Sequence, residues 1–269
     1  MKLVDLGTIA GRAVAGLVAG TLVGLTGFGG GMVLLPVLIS ILDVPPVVAV
    51  GSDALVNCIT KIGAGGLHWR RGSVRWRLVF DLAYGSIPGV MLGVLALARV
   101  RATYGEAVNE FLRVAIGILL VVLSIGYLLC QRSANSTRPL EASRKGRNRL
   151  GVTLIGFIAG LLVGVTSIGS GSVILMLLLI FYGLPPAQTV GTDIVHGVVL
   201  AGLAGLFQFN LGNVDLLLVG SVLIGSVPGG IAGAYLTKFI PSIRFKRMLC
   251  ALLVAVGARM IWRALLHAN

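Results

Sequence analysis

Hydrophobic residues form long runs along this chain, and charged residues are concentrated in the segments between them. Six runs come close to or reach the roughly 20 residues that a membrane-spanning helix needs: 8–26, 78–98, 111–130, 151–166, 215–237 and 248–266. Two more runs of similar length, 46–67 and 186–207, carry polar residues. Two shorter runs, 32–42 and 172–182, follow glycine-rich stretches and would be about 16 Å long as helices, half the thickness of a bilayer. The pattern predicts an all-α polytopic membrane protein.

Composition agrees with this prediction. Hydrophobic residues make up 57% of the chain and charged residues 12%, with a mean hydropathy of +1.00, whereas a soluble domain has about 25% charged residues. The first 25 residues do not have the order of a signal peptide, because Asp5 and Arg12 interrupt it and no clean cleavage site follows. We therefore expect them to form part of the first helix.

The chain contains an internal repeat. Residues 14–93 align without a gap on residues 154–233, a shift of 140 positions, and 28 of these 80 positions are identical. We predict two repeats of about five helices each, at 1–130 and 150–269, joined by a polar, basic linker at 131–149. A duplicated membrane scaffold with no transport role is the alternative.

The basic residues indicate how the repeats are oriented. The chain has 22 Lys and Arg residues and a net charge of +13, and 14 of the 22 lie in three clusters, at 70–77, 132–149 and 238–247. Such clusters mark cytoplasmic segments, so the linker and the segment 68–77 are expected inside. The segment 208–215, which corresponds to 68–77, has no basic residue and is expected outside, as is the loop 99–110.

Equivalent loops on opposite sides mean that the two repeats are inverted, as in many secondary transporters. The same clustering argues against nucleic acid as a partner and in favour of weak contacts with membrane lipids. A second copy of the chain, in a homo-oligomer, is a further candidate partner.

Two glycine-rich stretches, "TGFGGG" (26–31) and "TSIGSG" (166–171), each separate a long apolar run from a short one. We predict helical hairpins whose tips meet near the membrane midplane. The first amides of a short helix can bind an anion, glycine lets a ligand approach the backbone, and threonine and serine add hydroxyl groups. The candidate substrate-binding residues at the tips are Thr26, Gly27, Phe28, Gly29, Gly30, Gly31, Thr166, Ser167, Gly169, Ser170 and Gly171. Close helix packing through small residues is the alternative, and it is the role that we expect for Gly16, Gly20 and Gly24.

The motifs "VGSD" (50–53) and "VGTD" (190–193) place one carboxylate at the same position of each repeat, inside an apolar run. Asp53 shares a helical face with Asn57 and Lys61, and His196 follows Asp193 by one turn. Ionisable groups within a membrane are costly, and they point to function. We therefore predict that Asp53, Asp193 and His196 couple transport to protons, and that Asn57 and Lys61 contribute to substrate binding.

Helix capping is the alternative interpretation of these two motifs. In that case the glycines would break the helix and the polar residues would cap its restart. The residues involved would be Gly51, Ser52, Asp53, Gly191, Thr192 and Asp193.

The three cysteines, Cys58, Cys130 and Cys250, follow neither a disulfide pattern nor a metal-ligand spacing. We therefore expect no metal site and no cofactor. The chain also lacks a P-loop motif, so ATP is not expected to be the direct energy source.

The paired glycine-rich stretches resemble those of the sulfite exporter TauE/SafE family. The resemblance also depends on the segment 44–76, which contains "VGSDALVNCITKIGAGG", and on "LPPAQTVGTDIVHG" (184–197). It covers nearly the whole chain. Pro36 corresponds to Met176 in the second repeat, so the two tips are not equivalent.

This resemblance implies a multi-pass permease of the cell inner membrane that moves a small sulfur-containing anion, such as sulfite or an organosulfonate. We therefore expect a secondary transporter, not an enzyme, that works by alternating access and is driven by protons. The alternatives are an anion channel and an intramembrane enzyme acting on a sulfur compound, for which Cys58 is the candidate nucleophile.

Overall fold

The computed structural model describes residues 6–26, 29–70, 72–136, 149–171, 173–174, 186–236 and 242–267. These residues are almost entirely helical and include no strand. In chain order the helices are α1 (Leu6–Thr26), α2 (Gly30–Ser40), α3 (Pro46–Arg70), α4 (Trp76–Tyr104), α5 (Val108–Ser136), α6 (Arg149–Thr166), α7 (Pro186–Asn210), α8 (Leu216–Leu236) and α9 (Ser242–His267). The helices therefore match the apolar runs closely. The second short run, 172–182, lies almost entirely outside the described residues.

Local sequence explains several of the helix ends. Pro46 and Pro186 begin α3 and α7, and proline suits the first helical position because the amide there has no partner within the helix. The carboxylate of Asp215 accepts hydrogen bonds from the amides of Leu217 and Leu218, and thereby caps the start of α8.

The prediction of a loop over 99–110 was wrong. Helix α4 continues to Tyr104, a short 3₁₀ turn follows at Gly105–Ala107, and α5 begins at Val108. Gly105 has φ +57°, a conformation that ends helices and favours glycine. The linker expected at 131–149 also proved shorter at its N-terminal side, because α5 extends through Ser136, and residues 137–148 lie outside the described residues.

Helix α2 lies at the centre of the fold. Nine of its eleven residues are buried, among them Met32, Leu35 and Leu38. A helix that is apolar on all sides is stable when protein or lipid surrounds it, and α2 is surrounded by protein, since it packs against α1, α3 and α9.

Glycines allow close packing between two further pairs of helices. Gly20 of α1 lies against the backbone carbonyl of Ser226 in α8, and Gly160 of α6 lies against the carbonyl of Ser86 in α4. A β-carbon at either glycine would collide with that carbonyl. The two contacts are related by the shift of 140 positions. The packing role expected for Gly16, Gly20 and Gly24 is therefore confirmed, since all three contact α8.

Helices α3 and α7, which occupy the same position in the two repeats, pack against each other in antiparallel orientation. Gly205 of α7 contacts Leu55 of α3, and Gly197 contacts Lys61. Residues later in α7 therefore meet residues earlier in α3, so the two helices run in opposite directions. Helices α5 and α9, also equivalent in sequence, pair in the same antiparallel way.

The outer surface of this bundle is apolar. Six stretches within the described residues are long and apolar enough to cross a membrane, and one of these contains both α4 and α5. Large hydrophobic side chains point outward on several helices, including Phe80, Leu95, Val122, Leu154 and Ile224. Such a surface is expected to face lipid.

Candidate functional site

A buried carboxylate in the middle of α3 forms one side of the candidate site. Oδ2 of Asp53 accepts a hydrogen bond of 2.8 Å from Nδ2 of Asn57 and one of 2.7 Å from Oγ of Ser167. Oδ1 has no partner among the described residues. Asn57 lies on the same helix, whereas Ser167 lies at the second glycine-rich tip, so Asp53 links the two halves of the chain.

The ammonium group of Lys61 makes a second link between the halves. Nζ donates to the backbone oxygen of Ser170 at 3.0 Å and to its Oγ at 2.9 Å. Lys61 is only 3% exposed. A cation buried this deeply is costly without anionic or polar partners, so the tip at 166–171 and Lys61 stabilise each other.

The two glycine-rich tips contact each other, as predicted. A β-carbon at Gly29 would lie 3.0 Å from the amide nitrogen of Gly171. Gly30 packs against the side-chain amide of Asn57, and a β-carbon at Gly31 would lie 3.1 Å from Oδ2 of Asp53. Asp53 therefore sits beside the first turn of α2, whose amide end favours a negative charge.

The second tip contains a constrained turn. Ser167 has φ +56° and Gly169 has φ +127°, and a residue other than glycine in this region costs free energy that its surroundings must offset. The bond from Ser167 to Asp53 provides such an offset. Thr166 ends α6, and its hydroxyl donates to the carbonyl of Leu162 at 2.8 Å.

Three predicted tip residues cannot be placed as fully. Thr26 ends α1, but its side chain lies outside the described part of the chain, and Gly27 and Phe28 lie outside it altogether.

The second carboxylate has a different environment. Asp193 is 1% exposed, and neither of its oxygens has a hydrogen-bond partner among the described residues. His196, one turn further on, is also buried, and its Nε2 lies 2.9 Å from Oγ of Ser86. The other ring nitrogen, Nδ1, has no partner in the same part of the chain.

The capping interpretation of the two "VG(S/T)D" motifs was wrong. Helices α3 and α7 run through both motifs without a break. Instead, the hydroxyl of Ser52 accepts a hydrogen bond from the amide of Asp215 at 3.1 Å, and that of Thr192 accepts one from the amide of Arg75 at 3.0 Å.

The glycines of these two motifs lie against the same two connecting loops. Gly51 lies against the carbonyl of Asn213, and Gly191 lies against Ser73. The glycine and the hydroxyl residue of each motif thus hold a connecting loop, whereas the aspartate of each motif is buried and bonds to neither loop in the described part of the chain.

Several polar contacts were missed from the sequence. Oγ of Thr60 lies 3.1 Å from Oγ of Ser226, which is the equivalent of Ser86 in the second repeat. The signal was present, because "GSIPG" and "GSVPG" repeat the same serine. The contact of Arg101 with Asn213 was also missed, as was the bond of 2.6 Å that the side-chain amide of Asn213 donates to Gln208. All three residues had been assigned to loops.

The hydrogen bonds of Asp53 and Lys61 bring Asn57, Ser167 and Ser170 together with these two residues in one buried polar centre. A single ammonium group there can balance one negative charge, and the hydroxyl of Ser170, which only accepts in its bond with Lys61, can donate a hydrogen bond to an oxyanion. The described residues include no group of three or more His, Cys, Asp or Glu side chains that could hold a metal ion.

Comparisons with known proteins show the family to which the chain belongs. A family model, "Sulfite exporter TauE/SafE", matches residues 13–260. The chain is 34% identical to "Probable membrane transporter protein YjnA" of Bacillus subtilis (strain 168), over 91% of this chain and 97% of the relative. It is 27% identical to a "Probable membrane transporter protein" of Haemophilus influenzae, over 92% and 96% respectively.

No solved structure shows a significant match to the chain. The family match nevertheless covers almost its whole length, and the apolar surface and multiple spans are those of a multi-pass membrane protein. The chain therefore belongs to the sulfite exporter TauE/SafE family of membrane transporters.

Proposed function

We propose that this protein is a secondary transporter that carries a small sulfur-containing anion, such as sulfite or an organosulfonate, across the cell inner membrane by alternating access. One observation carries the proposal. The two glycine-rich tips meet at Gly29 and Gly171, and Lys61 and Asp53 bind the second tip from α3 in a fully buried position.

A small anion fits the chemistry of this centre. The ammonium of Lys61 supplies a positive charge. The hydroxyl of Ser170 accepts a hydrogen bond from Lys61 and keeps its own hydrogen for the anion, whereas the hydroxyl hydrogen of Ser167 is used on Asp53. The family model bears the name of sulfite exporters, which points to sulfur oxyanions among the small anions that such donors could bind.

The packing of the helices supports the proposal that the repeats 1–130 and 150–269 are inverted in the membrane. Equivalent helices, α3 with α7 and α5 with α9, contact each other in antiparallel orientation. A two-fold axis that lies in the membrane plane relates helices in this way, and it creates two similar states open to opposite sides. The linker 131–149 is then cytoplasmic, as its basic residues require.

Protons are the proposed driving ions. Asp53, Asp193 and His196 are buried groups that can exchange protons, and each of them interacts with the charge of Lys61. An anion that enters alone would add a negative charge to a centre that already holds two carboxyl groups, so a proton that enters with it lowers the electrostatic cost.

Flux measurements with the purified protein in proteoliposomes test this function. Sulfite, sulfate, thiosulfate and the organosulfonate methanesulfonate are offered separately, with and without a pH gradient. We expect at least one of them to accumulate against its gradient when the pH gradient is present. If none moves faster than in protein-free vesicles, the proposal is wrong. If an anion moves only down its gradient, and replacement of both Asp53 and Asp193 by Asn leaves that flux intact, the protein is a channel.

A further inference from the structure

The two carboxyl groups occupy the same position of the repeat but have different partners. Asp53 has two hydrogen-bond donors on Oδ2 and lies beside the amide end of α2. Asp193 has no donor on either oxygen among the described residues, although it is just as deeply buried. The duplicated position therefore holds one carboxyl group with hydrogen-bond donors and one without them among the described residues.

The difference begins one helical turn further on. In α3 that position is Asn57, whose amide bonds to Asp53. In α7 the equivalent residue is Gly197, and the space over it is filled by the end of the Lys61 side chain, since a β-carbon at Gly197 would collide with Nζ. Lys61 itself corresponds to Ala201. The ammonium group thus takes, beside Asp193, the place that a neutral amide takes beside Asp53.

This placement gives Lys61 two potential counter-ions. Its ammonium group lies over Gly197, which follows Asp193 by one helical turn, and it interacts with the charge of that carboxyl group. The same ammonium group is bonded at the second tip to Ser170, where we propose that the anion binds. A buried ammonium group can fully compensate only one negative charge at a time. An anion at the tip therefore competes with Asp193 for Lys61.

We infer that Asp193, and not Asp53, is the residue that carries the coupled proton, and that Lys61 links proton binding to anion binding by changing its counter-ion. This inference rests on the proposed function. When the site is empty, the Lys61 ammonium balances the Asp193 carboxylate. When the anion binds Lys61, the Asp193 carboxylate loses its counter-charge and takes up one proton on a carboxylate oxygen. The anion and the proton then cross together in the same direction, and release of both restores the original pair.

The other groups around Asp193 fit this scheme. From α3, Asp193 interacts with the charge of Lys61, which also interacts with Asp53 and with the half-buried thiol of Cys58. His196, on α7 itself, interacts with Lys61 as well. Helix α4 contributes Ser86, a hydroxyl that holds His196 in place. Asp53 is a positioning residue in this scheme, since it fixes Asn57 and the tip residue Ser167.

Two transport measurements on the full-length protein separate coupling from binding. Counterflow of radiolabelled sulfite at equal pH exchanges bound anion and needs no net proton movement, whereas accumulation driven by a pH gradient does. For Asp193→Asn we expect counterflow within about threefold of the wild type and a loss of at least tenfold in gradient-driven accumulation. Asp193→Glu should keep both. In Asp53→Asn, the matched control, counterflow and gradient-driven accumulation should fall by the same factor, so that their ratio stays that of the wild type. Gradient-driven accumulation in Asp193→Asn, or its selective loss in Asp53→Asn, would overturn the inference.

A thermal-stability cycle in detergent tests the pairing without transport. We expect the variant Lys61→Met/Asp193→Asn to melt at a higher temperature than Lys61→Met alone, because it removes both charges of a pair. The matched variant Lys61→Met/Asp53→Asn should show a smaller recovery or none, and the reverse order would overturn the pairing. If the wild type moves none of the four sulfur anions, the proposed function fails, and this cycle still shows which carboxyl group pairs with Lys61.

Discussion

The close glycine contacts between helices follow the internal repeat, whereas the polar centre departs from it. Gly20 lies on Ser226 and Gly160 lies on Ser86, and a shift of 140 positions converts one contact into the other. In the centre, Asn57 corresponds to Gly197 and Lys61 to Ala201. The two repeats thus share their helix-packing contacts, but they differ in sequence where the charged groups meet.

This contrast has a physical reason. In the alternating-access mechanism that we propose, two equivalent sets of helix contacts give the bundle two arrangements of similar energy. A small anion, in contrast, occupies one position at a time. A second lysine at position 201 would add another buried charge without a partner.

The largest effect is expected for Lys61→Gln, which removes the only cation that the described part of the centre holds. Loss of one partner from a buried, charge-stabilised site costs about 3–5 kcal/mol, so counterflow of the transported anion should fall about 100-fold or more. The control is Arg113→Gln, since Arg113 forms a partly exposed ion pair with Glu110 at 3.3 Å, and such pairs contribute little. A Lys61→Gln variant that transports within twofold of the wild type would show that the asymmetric centre does not bind the anion.

A smaller effect, on stability, is expected when the symmetric contacts are broken. Gly20→Ala and Gly160→Ala place a methyl group against a backbone carbonyl, which should destabilise each variant by about 1–3 kcal/mol. Gly11→Ala and Gly151→Ala are matched controls on the same helices, because nothing lies within 4 Å of the added carbon. They should be neutral or gain up to about 1 kcal/mol from helix propensity.

Thermal unfolding in detergent provides the measurement for all four glycine variants. Equal losses in Gly20→Ala and Gly160→Ala are expected from a symmetric scaffold. A loss of stability in only one of them would mean that the two equivalent contacts do not contribute equally to stability.

The next effect concerns the position at which the two repeats differ. Asn57→Ala removes a donor to Asp53, and a buried acceptor left without its partner costs about 1–3 kcal/mol. Gly197→Ala pushes the end of Lys61 away from Ser170. We expect the apparent affinity for the anion to fall about tenfold in Gly197→Ala and the melting temperature to fall in Asn57→Ala. Measurements of anion KM and of thermal unfolding on both variants distinguish these roles, and identical profiles would contradict the asymmetry.

The smallest effect is expected for Cys58→Ser. The Cys58 thiol is half-buried and lies 3.7 Å from the carbonyl of Val198, and serine keeps that donor. Counterflow should stay within twofold of the wild type. A complete loss of activity with normal folding would favour the alternative of an intramembrane enzyme with Cys58 as its nucleophile.

Most of the scaffold could be predicted from the sequence, because its helices follow directly from apolar length. The contact between the glycine-rich tips and the packing role of Gly20 were also predicted. The loop at 99–110 was not, since a polar segment can stay helical while Gly105 alone makes the turn. The hydrogen-bond partners of Ser52 and Thr192 could not be predicted either, because they are backbone amides of loops that are distant in the chain.

The asymmetric contacts of the centre were the hardest to foresee. The sequence shows that Lys61 lies near Asp53 on α3, but the ammonium group binds Ser170 and lies over Gly197 of the other half. Helical spacing describes neighbours on one helix and carries no information about a side chain that reaches across to another.

Cysteine labelling at two equivalent positions tests the inverted arrangement most directly. Arg70 and Asn210 end α3 and α7, are both exposed, and differ by 140 positions. Each is replaced by Cys in a variant in which Cys58, Cys130 and Cys250 are Ser, and is exposed to a membrane-impermeant maleimide in right-side-out and in inverted vesicles. The account predicts that position 70 reacts only from the cytoplasmic side and position 210 only from the opposite side. Reaction of both positions from the same side would contradict it.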